Sequence, residues 1–284
     1  MGMVKPLQAL FIGLAFLLAA GTAAAAKKLP VDLELALGVD VSGSVDEVEA
    51  ELQRNGYIAA FRDPKVLKAI QSGFLRRIAV TYYEWAGFGH AKVIAEWSVI
   101  HDRASALAFA DKLRTPDPQT ARRTAIANGI DSGIAFIERN GFDGTRRVID
   151  ISGDGPNNWG DPVTDARNRA AARRITVNGL PIMNDRLSGS GRPSMADLDL
   201  YYINCVIGGP GAFVVVANDF EAFAQAVRRK LVLEIAGLKP APRARLILAA
   251  VRKPPPCDIG ERLRQERLDN WYDDDTYWRP GRIR

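Results

Sequence analysis

The sequence predicts an α/β fold: a doubly wound, mostly parallel sheet of six strands, with one antiparallel edge strand and helices on both faces. Short apolar runs alternate with helical patterns along the chain, which is typical of such a sheet. The first run, residues 33–41, contains only two charged residues and suits a central strand buried on both faces. A four-residue link at 87–90 joins two runs and favours a hairpin, hence an antiparallel edge strand.

The first half of the chain begins with that strand and continues into a helical pattern. Residues 45–70 repeat apolar positions at helical spacing and carry acidic residues in the first turn. We expect the helix to break near Asp63-Pro64, because a proline inside a helix removes a backbone hydrogen bond. The other elements predicted in this half are strands at 77–86 and 91–99, a helix at 102–113 and a polar loop at 114–123.

The second half repeats the alternation of helix and strand. Residues 124–140 place isoleucines three or four positions apart, which predicts a helical face that Asn140-Gly141 ends. Pro162 lies in the first turn of the next helix, where its missing N–H would have no partner in any case. The further elements predicted here are strands at 147–152, 175–182 and 213–217, helices at 161–174, 196–206 and 219–235, and a Gly/Ser-rich loop at 183–193.

The N-terminal residues 1–26 have the layout of a secretory signal peptide. One lysine precedes an apolar run at about 7–20, and small residues with an Ala24-x-Ala26 pattern follow. An uncleaved membrane anchor is the alternative, but the strongly apolar part is shorter than the ~20 residues that a spanning helix needs. We therefore expect cleavage after Ala26, a periplasmic or secreted protein, and no membrane span in the mature chain.

Composition divides the mature chain into a domain and a tail. With 47% hydrophobic residues, the chain has ample material for a buried core. We assign residues 27–237 to one domain and residues 238–284, which are rich in proline and charge, to a C-terminal tail. Within this tail, residues 244–251 could add a strand and residues 259–271 could form a short helix.

The net charge of +5 is modest, and the arginines are scattered as pairs instead of forming one basic patch. Nucleic-acid binding is therefore disfavoured, and export disfavours it further. The two cysteines, Cys205 and Cys257, are an even number in a chain bound for an oxidising compartment, so we expect a disulfide between them. The alternative is two free thiols, with Cys205 buried in a core.

A polar triplet follows the first predicted strand. Asp40, Ser42 and Ser44 fall at its C-terminal end, where open α/β sheets place their ligand sites. One carboxylate and two hydroxyls are hard oxygen ligands that suit Mg²⁺ or Mn²⁺. The alternative is an ordinary Ser/Gly-rich turn in which Ser44 or Asp46 caps the next helix.

The segment DVSGS after an apolar strand resembles the metal-ion-dependent adhesion site (MIDAS) of von Willebrand factor type A domains. That motif, D-x-S-x-S, is completed by a threonine and a second aspartate from later loops. Thr124, before a helical pattern, and Asp154, between an apolar strand and a glycine, match those positions. Taken singly, each is weak, because such a threonine is commonly a helix cap and an Asp-Gly is commonly a turn.

Residues 31–237 also resemble a family of uncharacterised exported bacterial proteins with this type of domain. The resemblance is carried by the blocks ISGDGPNNWG, YYINCVIGGPGAFV and RRKLVLEIAG. It strengthens the prediction of the fold and brings no established function with it.

The resemblance to the adhesion site implies a divalent-cation-dependent protein-binding module. In such a site Ser42, Ser44 and Thr124 would contact Mg²⁺ or Mn²⁺ through hydroxyls, while Asp40 and Asp154 would hold the waters or hydroxyls around it. The partner would be an exported or envelope protein that supplies a carboxylate to the metal.

We do not expect an enzyme, because only two histidines exist and both were placed away from the strand ends, His90 in the hairpin link and His101 after the third strand. A metal-assisted hydrolase, or a structural interaction protein with a vestigial metal site, are the alternatives. Asn157 and Trp159 follow Asp154 on the same rim and are candidates for partner binding, although such a tryptophan more often packs beneath its own loop.

Overall fold

The computed structural model describes residues 27–87, 89–114, 120–183, 194–220, 222–240 and 252–275. The sequence predictions that fall outside these residues, wholly or in part, are the signal peptide at 1–26, half of the polar loop at 114–123, most of the loop at 183–193 and the strand at 244–251.

The described residues form a mixed sheet of five strands in the order β3-β2-β1-β4-β5. The central strand β1 is parallel to β2 and β4, β5 is parallel to β4, and β3 is the antiparallel edge strand next to β2. The class of fold and the antiparallel edge therefore agree with the prediction. The strands are β1 (Leu29–Asp40), β2 (Ile78–Trp85), β3 (Ala91–Ile100), β4 (Phe142–Gly153) and β5 (Thr176–Pro181).

The predicted sixth strand, 213–217, is not a strand in the described structure. This segment runs parallel to β5, but it pairs only through isolated bridges at Val214 and Ala217. The ladder fails between them because Pro181 has no N–H to donate to Val215. The bonds on either side are made: Val215 N donates to Gly179 O at 3.1 Å and Ala217 N donates to Pro181 O at 3.0 Å.

The helices cover both faces of the sheet, as expected. The predicted break at Asp63 is present: its carboxylate accepts from Lys65 N at 2.7 Å and Pro64 begins the second helix. The helices are α1 (Glu47–Arg62), α2 (Pro64–Gln71), α3 (Arg103–Lys112), α4 (Ile126–Arg139), α5 (Val163–Ala172), α6 (Leu198–Tyr201), α7 (Phe223–Ala236) and α8 (Ile259–Asp275). A π-helical turn, Tyr202–Val206, continues α6.

Two hydrophobic clusters form, one on each side of the sheet. The first joins alternate residues of β1, such as Leu35 and Leu37, to the helices α1, α2, α3 and α7. The second lies between Ala36 of the same strand and the helices α4, α5 and α6. Burial on both faces explains why β1 reads as an almost unbroken apolar run.

Helix α4 packs unusually close to the sheet through glycines. A Cβ placed on Gly129 would lie 2.9 Å from Cγ of the buried Trp85, and one on Gly133 would lie 2.8 Å from the hydroxyl of Tyr83. That hydroxyl donates a hydrogen bond to Gly129 O at 2.8 Å. The small face of α4 therefore sets the distance between the helix and the strands beneath it.

Charged groups are also buried in the first cluster. Lys230 of α7 has no exposed surface, and its Nζ lies 2.5 Å from both Asp150 Oδ1 and Glu234 Oε1. Asn178 of β5 donates a further hydrogen bond to the same oxygen of Glu234 at 2.7 Å. This arrangement ties α7 to β4 through an ion pair and to β5 through a charge-assisted hydrogen bond.

A disulfide attaches the segment that follows the sheet. Cys205, in the π-helical turn, bonds to Cys257, and their Cα atoms are 5.4 Å apart. The bond brings the start of α8 against the second cluster, where Cys257 and Ile259 are partly buried. No helix in the described parts of the chain has the length and apolar character to cross a membrane.

Candidate metal centre

The parallel strands β1 and β4 end at the same edge of the sheet, and that edge carries the candidate site. Asp40 is the last residue of β1, while Ser42 and Ser44 lie in the loop that leads to α1. Asp154 follows β4 directly, and Thr124 lies two residues before α4. The structure thus brings together the five residues that the sequence placed in a metal site.

A chain of hydrogen bonds links the hydroxyls to one of the carboxylates. Thr124 Oγ1 donates to Ser42 Oγ at 3.1 Å, Ser42 Oγ lies 3.2 Å from Ser44 Oγ, and Ser44 Oγ donates to Asp154 Oδ1 at 2.7 Å. On the other side, Asp40 Oδ1 accepts from Ser42 N at 2.7 Å. The three hydroxyls are therefore linked in one chain that ends on Asp154.

The second carboxylate oxygen of Asp40 has no hydrogen-bond partner among the described residues, although it is buried. Burial of an ionised carboxylate oxygen is costly unless a proton, a donor or a cation compensates it. The neighbouring charge that acts on Asp40 is that of Asp154, which is also negative. A bound cation would compensate both carboxylates.

The helix caps bear out one form of the alternative, in which Asp46 caps the next helix. Asp46 is the N-cap of α1: it accepts from Glu49 N at 2.8 Å and forms a capping box with that residue, whereas the hydroxyl of Ser44 donates to Asp154. The N-cap position of α4 is Ala125, and its side chain makes no capping bond. The Thr124 hydroxyl turns instead to Ser42.

Burial raises the pKa values of both carboxylic acids. The pKa of Asp40 lies well above its usual range, chiefly because of desolvation and then because of the nearby charge of Asp154. Burial likewise raises the pKa of Asp154 to about 6, against the hydrogen bond from Ser44, which lowers it. The neighbouring charge that adds to the raised pKa of Asp154, that of Glu49, is also negative, so a bound cation would lower the pKa values of both acids.

The ligand types fit a hard divalent cation. Three hydroxyls and two carboxylates offer only oxygen, and two formal negative charges match an ion such as Mg²⁺ or Mn²⁺. Within the described residues, no group of three or more His, Cys, Asp or Glu side chains could hold a metal. A metal here would therefore depend on the hydroxyls of serine and threonine.

Gly153 makes room for Asp40. A Cβ at this position would lie 2.8 Å from Asp40 Oδ2 and 2.9 Å from the hydroxyl of Tyr202. Real Cβ atoms essentially never make contacts this short, so a side chain at position 153 would force a neighbouring atom to shift. The glycine before the second aspartate thus keeps the two strand ends close.

Two contacts that the sequence did not reveal hold Thr124. Its N–H donates to Asn158 Oδ1 at 3.0 Å, and Asn158 N donates back to Thr124 O at 2.8 Å. Arg123, just before it, has φ of 73°, a left-handed conformation that is uncommon for a residue with a side chain. The carbonyl of Arg123 accepts from Gly87 N at 2.7 Å, which fixes this loop to the β2–β3 turn.

Asn157 is fully buried and has an internal role. Its Oδ1 accepts from Ala127 N at 3.1 Å, and its amide donates to Asp161 O at 3.1 Å and to Glu261 Oε1 at 2.7 Å. These bonds satisfy the first turn of α4 and reach α8. The side chain is enclosed by the protein, which leaves Trp159 as the sequence-predicted partner residue that is accessible.

Trp159 is half-buried between two arginines. The guanidinium carbon of Arg123 lies 5.5 Å from the ring centroid and that of Arg264, in α8, lies 5.3 Å from it. Such cation–π contacts stabilise a ring on the protein surface. Trp159 therefore connects the loop that carries Thr124 to α8.

A cleft of about 490 Å³ opens beside the candidate ligands, a size within the usual range for ligand sites. Its lining includes Arg122, Arg123 and Thr124 from the loop before α4, and Gly260, Leu263 and Arg267 from α8. Ser44 and Asp154 also line it.

The position of His90 differs from the prediction. The turn between β2 and β3 lies at the carboxyl edge of β2, the same edge as the site, so His90 is not remote from it. Its carbonyl accepts from Asn128 Nδ2 at 3.3 Å, and its side chain is not among the described residues that line the cleft. His101 follows β3 and is exposed.

A family described as "Protein of unknown function (DUF1194)" matches residues 30–239. Among curated proteins, no match was found.

Several solved structures resemble the chain. The pilus adhesin SpaC from Lactobacillus rhamnosus GG, in an open conformation, aligns with 73% of this chain and 30% of its own length, at 14% identity and a TM-score of 0.53. Proximal thread matrix protein 1 from the mussel byssus, with a zinc-occupied MIDAS motif, aligns with 72% of this chain and 46% of its own length, at 13% identity and a TM-score of 0.49. A von Willebrand factor type A protein from Catenulispora acidiphila aligns with 72% of this chain and 43% of its own length, at 13% identity and a TM-score of 0.47.

This chain therefore spans less than half the length of each of these three structures. Identities this low are evidence for the fold alone.

Proposed function

This chain belongs to the DUF1194 family and has a fold like that of von Willebrand factor type A domains, and from that premise we propose that it is an exported, divalent-cation-dependent protein-binding module of the adhesion or scaffold type. Its metal would be Mg²⁺ or Mn²⁺, held by Asp40, Ser42, Ser44, Thr124 and Asp154. Its partner would be an exported or envelope protein that presents a carboxylate.

The observation that carries the proposal is the buried, unpartnered Asp40 oxygen at the end of β1, next to the linked hydroxyls of Ser42, Ser44 and Thr124. Ser42, Ser44 and Thr124 would contact the ion through hydroxyls, and the two aspartates would orient hydroxyls and waters around it. A bound cation would supply Lewis acidity and a position for a ligand from outside. A partner carboxylate is the hard anionic oxygen that suits that position.

Binding is a better proposal than turnover because the described residues that line the cleft include no proton-transfer residue of the usual type. The described lining residues include no histidine, cysteine or lysine, and their acidic member, Asp154, is a candidate metal ligand. A metal-assisted hydrolase is therefore the second candidate. The Lewis acidity of a bound ion favours it, and hydrolysis of a phosphate or ester abolished by Asp40→Ala would replace the binding proposal.

Export is part of the proposal. The apolar N-terminal run followed by Ala24-x-Ala26 supports it, and so does the bond between Cys205 and Cys257, since disulfides persist in oxidising compartments. A protein with its binding site outside the cytoplasm would meet envelope partners.

Titration calorimetry of the purified mature protein with MgCl₂ and MnCl₂ tests the metal. We expect wild-type binding that Asp40→Ala removes, because the substitution deletes one of two charges that neutralise the ion. Asp165→Asn, an exposed carboxylate on α5, is the control and should bind as wild type does. Equal affinity for wild type and Asp40→Ala would show that the ion binds elsewhere.

Affinity capture from an envelope extract, with and without EDTA, tests the partner. We expect a chelator-sensitive partner that Asp40→Ala and Thr124→Ala each weaken, while changes at His90 or His101 have no effect. A partner retained fully in excess EDTA would instead favour a structural interaction protein with a vestigial metal site.

A further inference from the structure

We infer that the edge of the sheet opposite the candidate metal centre binds the surface of a bilayer that contains anionic phospholipids. We call this edge the basal surface. Its members are residues 27–29, the loop 72–77, residues 146–147, residues 173–174 and residues 238–239. The inference does not depend on the metal.

Pairs of basic residues lie near the starts of all the parallel strands. Lys27-Lys28 precede β1, Arg76-Arg77 precede β2, Arg146-Arg147 lie in the first half of β4, and Arg173-Arg174 come shortly before β5. Parallel strands begin at the same edge of a sheet, and the register agrees, since Leu33 of β1 is paired with both Ile78 and Arg146. Pairs that are scattered along the sequence therefore meet at one edge of the fold.

Several cations of the basal surface have no acidic partner among the described residues. They are Lys28, Arg76, Arg174 and Lys239. Arg174 lines two adjoining pockets, one of which is also lined by Lys28 and the other by Lys239. These three charges therefore belong to one continuous stretch of surface. Cations that lie together without counter-charges attract a negatively charged surface.

The acids of the same region do not cancel these charges. Glu34, Glu138, Asp143 and Glu234 line the two pockets, and Asp32 accepts from the loop 72–77. Two of these acids already have a cation, because Glu138 pairs with Arg173 at 3.0 Å and Glu234 pairs with the buried Lys230 at 2.5 Å. The basal surface therefore keeps an excess of positive charge.

Exposed apolar side chains lie among the cations. Phe74 is 94% exposed, Leu238 is 58% exposed and Leu29 is 39% exposed. The backbone around Phe74 is held in place by Asp32, which accepts from Leu75 N at 2.9 Å. An aromatic ring that the fold holds in water is stabilised by transfer into the interface of a bilayer, while the flanking cations contact the headgroups.

The attachment of the N-terminal segment favours a bilayer as the occupant. Lys27 directly follows the residues whose sequence predicts an apolar export segment, so before cleavage the basal surface adjoins a segment that enters the membrane. The 12 residues of β1 then separate the lipid from the candidate metal centre by roughly 35 Å, at about 3.3 Å per residue. The metal edge would face away from the membrane, toward partner proteins.

Co-sedimentation of the mature protein with vesicles tests the inference. The probes are vesicles of phosphatidylcholine mixed with phosphatidylglycerol, and vesicles of phosphatidylcholine alone. Physiological ionic strength and EDTA are used, so that no divalent cation bridges protein and lipid. We expect the mixed vesicles to bind at least about tenfold more tightly, with an affinity that falls as salt is added.

Charge variants locate the contact. Arg76→Gln and Arg174→Gln should each weaken binding to the mixed vesicles about fivefold, the usual contribution of one cation near an anionic membrane. Arg262→Gln, on α8 at the metal edge, makes the same change in net charge and is the matched control, which should bind as wild type does. Circular dichroism establishes that the variants are folded.

Apolar variants show whether side chains enter the lipid. Phe74→Ser should weaken binding about tenfold, because the ring would lose its transfer from water. Val48→Ser is the matched control, since Val48 is 64% exposed in the first turn of α1 at the metal edge. An environment-sensitive dye on Leu238→Cys should brighten when mixed vesicles are added, and the same dye on Val48→Cys should not.

Equal binding to the two kinds of vesicle, equal effects of Arg76→Gln and Arg262→Gln, or no binding at all would overturn the inference. If the arginine variants weaken binding while Phe74→Ser binds normally and the dye at position 238 stays dim, the basal surface instead suits an acidic macromolecule. Binding seen only when MgCl₂ replaces EDTA would place the lipid at the metal edge. Because the main measurement is made in EDTA, failure of the metal proposal would leave its result unchanged.

Discussion

Lys230 lies buried between two carboxyl groups, so its one positive charge can balance only one of them when both are ionised. Two ionised acids, Asp150 and Glu234, against one ammonium would keep a net negative charge away from water, so retention of a proton is favoured. Burial is the largest cause of the raised pKa of Asp150, about 7, and the charge of Glu234 adds to it while Lys230 opposes it. Asp150 therefore titrates near neutral pH.

A raised pKa means that folded Asp150 binds its proton more tightly than the unfolded chain does. The stability from this group is therefore present at low pH and is lost as pH rises through about 7. Between pH 5 and 8 we expect the free energy of unfolding of the wild type to fall by roughly 1–3 kcal/mol. Asp150→Asn, which cannot ionise, should not show this loss. Urea denaturation at both pH values, in saturating Mg²⁺, measures it.

Asp165→Asn is the control for that comparison, since its carboxylate is exposed and should change the pH dependence little. A wild-type protein that gains stability relative to Asp150→Asn as pH rises would contradict the assignment. It would mean that Lys230 holds both acids ionised.

At the level of the elements, helix α4 depends on having no side chain at Gly129. An alanine there would place its Cβ within 3.2 Å of three atoms of the Trp85 ring, which is buried and cannot withdraw. Overpacking of this kind costs about 1–3 kcal/mol, and the better helix propensity of alanine returns less than about 1 kcal/mol. We expect Gly129→Ala to lower the free energy of unfolding in chemical denaturation.

Gly141→Ala is the matched control, because a Cβ there meets no atom within 4 Å. This variant should be as stable as wild type to within about 0.5 kcal/mol. If the two variants were equally stable, α4 would have freedom to move away from β2.

Elements were predictable where the pattern is local. The break at Asp63-Pro64 and the antiparallel edge both follow from a few neighbouring residues. The sixth strand was predicted wrongly, because its apolar residues satisfy the pattern of a strand. Pro181, on the neighbouring strand β5, lacks the N–H donor that the ladder requires. Because the missing N–H belongs to β5, the sequence of residues 213–217 does not indicate it.

The candidate site also has one part that the sequence predicts and one part that it does not. Asp40, Ser42, Ser44, Thr124 and Asp154 could be brought together from the sequence, since each adjoins a strand end or helix start that the pattern locates. The residues that hold these five in position could not be predicted, because their contacts join segments that are distant in the sequence.

The bonds from Asn158 to Thr124 and from Asn157 to Glu261 illustrate this limit. Their signal in the sequence is only a pair of asparagines after an Asp-Gly. The cleft wall was hidden for the same reason, as nothing near Arg267 in the sequence indicates which loop α8 contacts.

For the whole molecule, the core implies that residues 27–240 fold without the C-terminal segment. Both clusters are built from residues up to Ile235, apart from the partly buried Cys257 and Ile259. We expect a 27–240 fragment carrying Cys205→Ser to retain its circular dichroism and Mg²⁺ binding. Its stability should fall by roughly 2–4 kcal/mol, the usual contribution of a disulfide, as measured by thermal denaturation.

The full-length chain with both cysteines changed to serine is the comparison, since it lacks the bond but keeps α8. A fragment that is unfolded while this double variant is folded would show that α8 belongs to the domain core and is not an addition to it.

Gly153 has a consequence for finding such sites in other genomes. A search pattern built from the five oxygen-bearing residues alone would accept chains with any residue before the second aspartate. Because a Cβ there would lie too close to the side chains of Asp40 and Tyr202, such chains would need a shift in one of these side chains or in the strand ends that carry them. The useful signature is therefore D-x-S-x-S, then T, then G-D, in which the glycine leaves room for the carboxylate of the first aspartate.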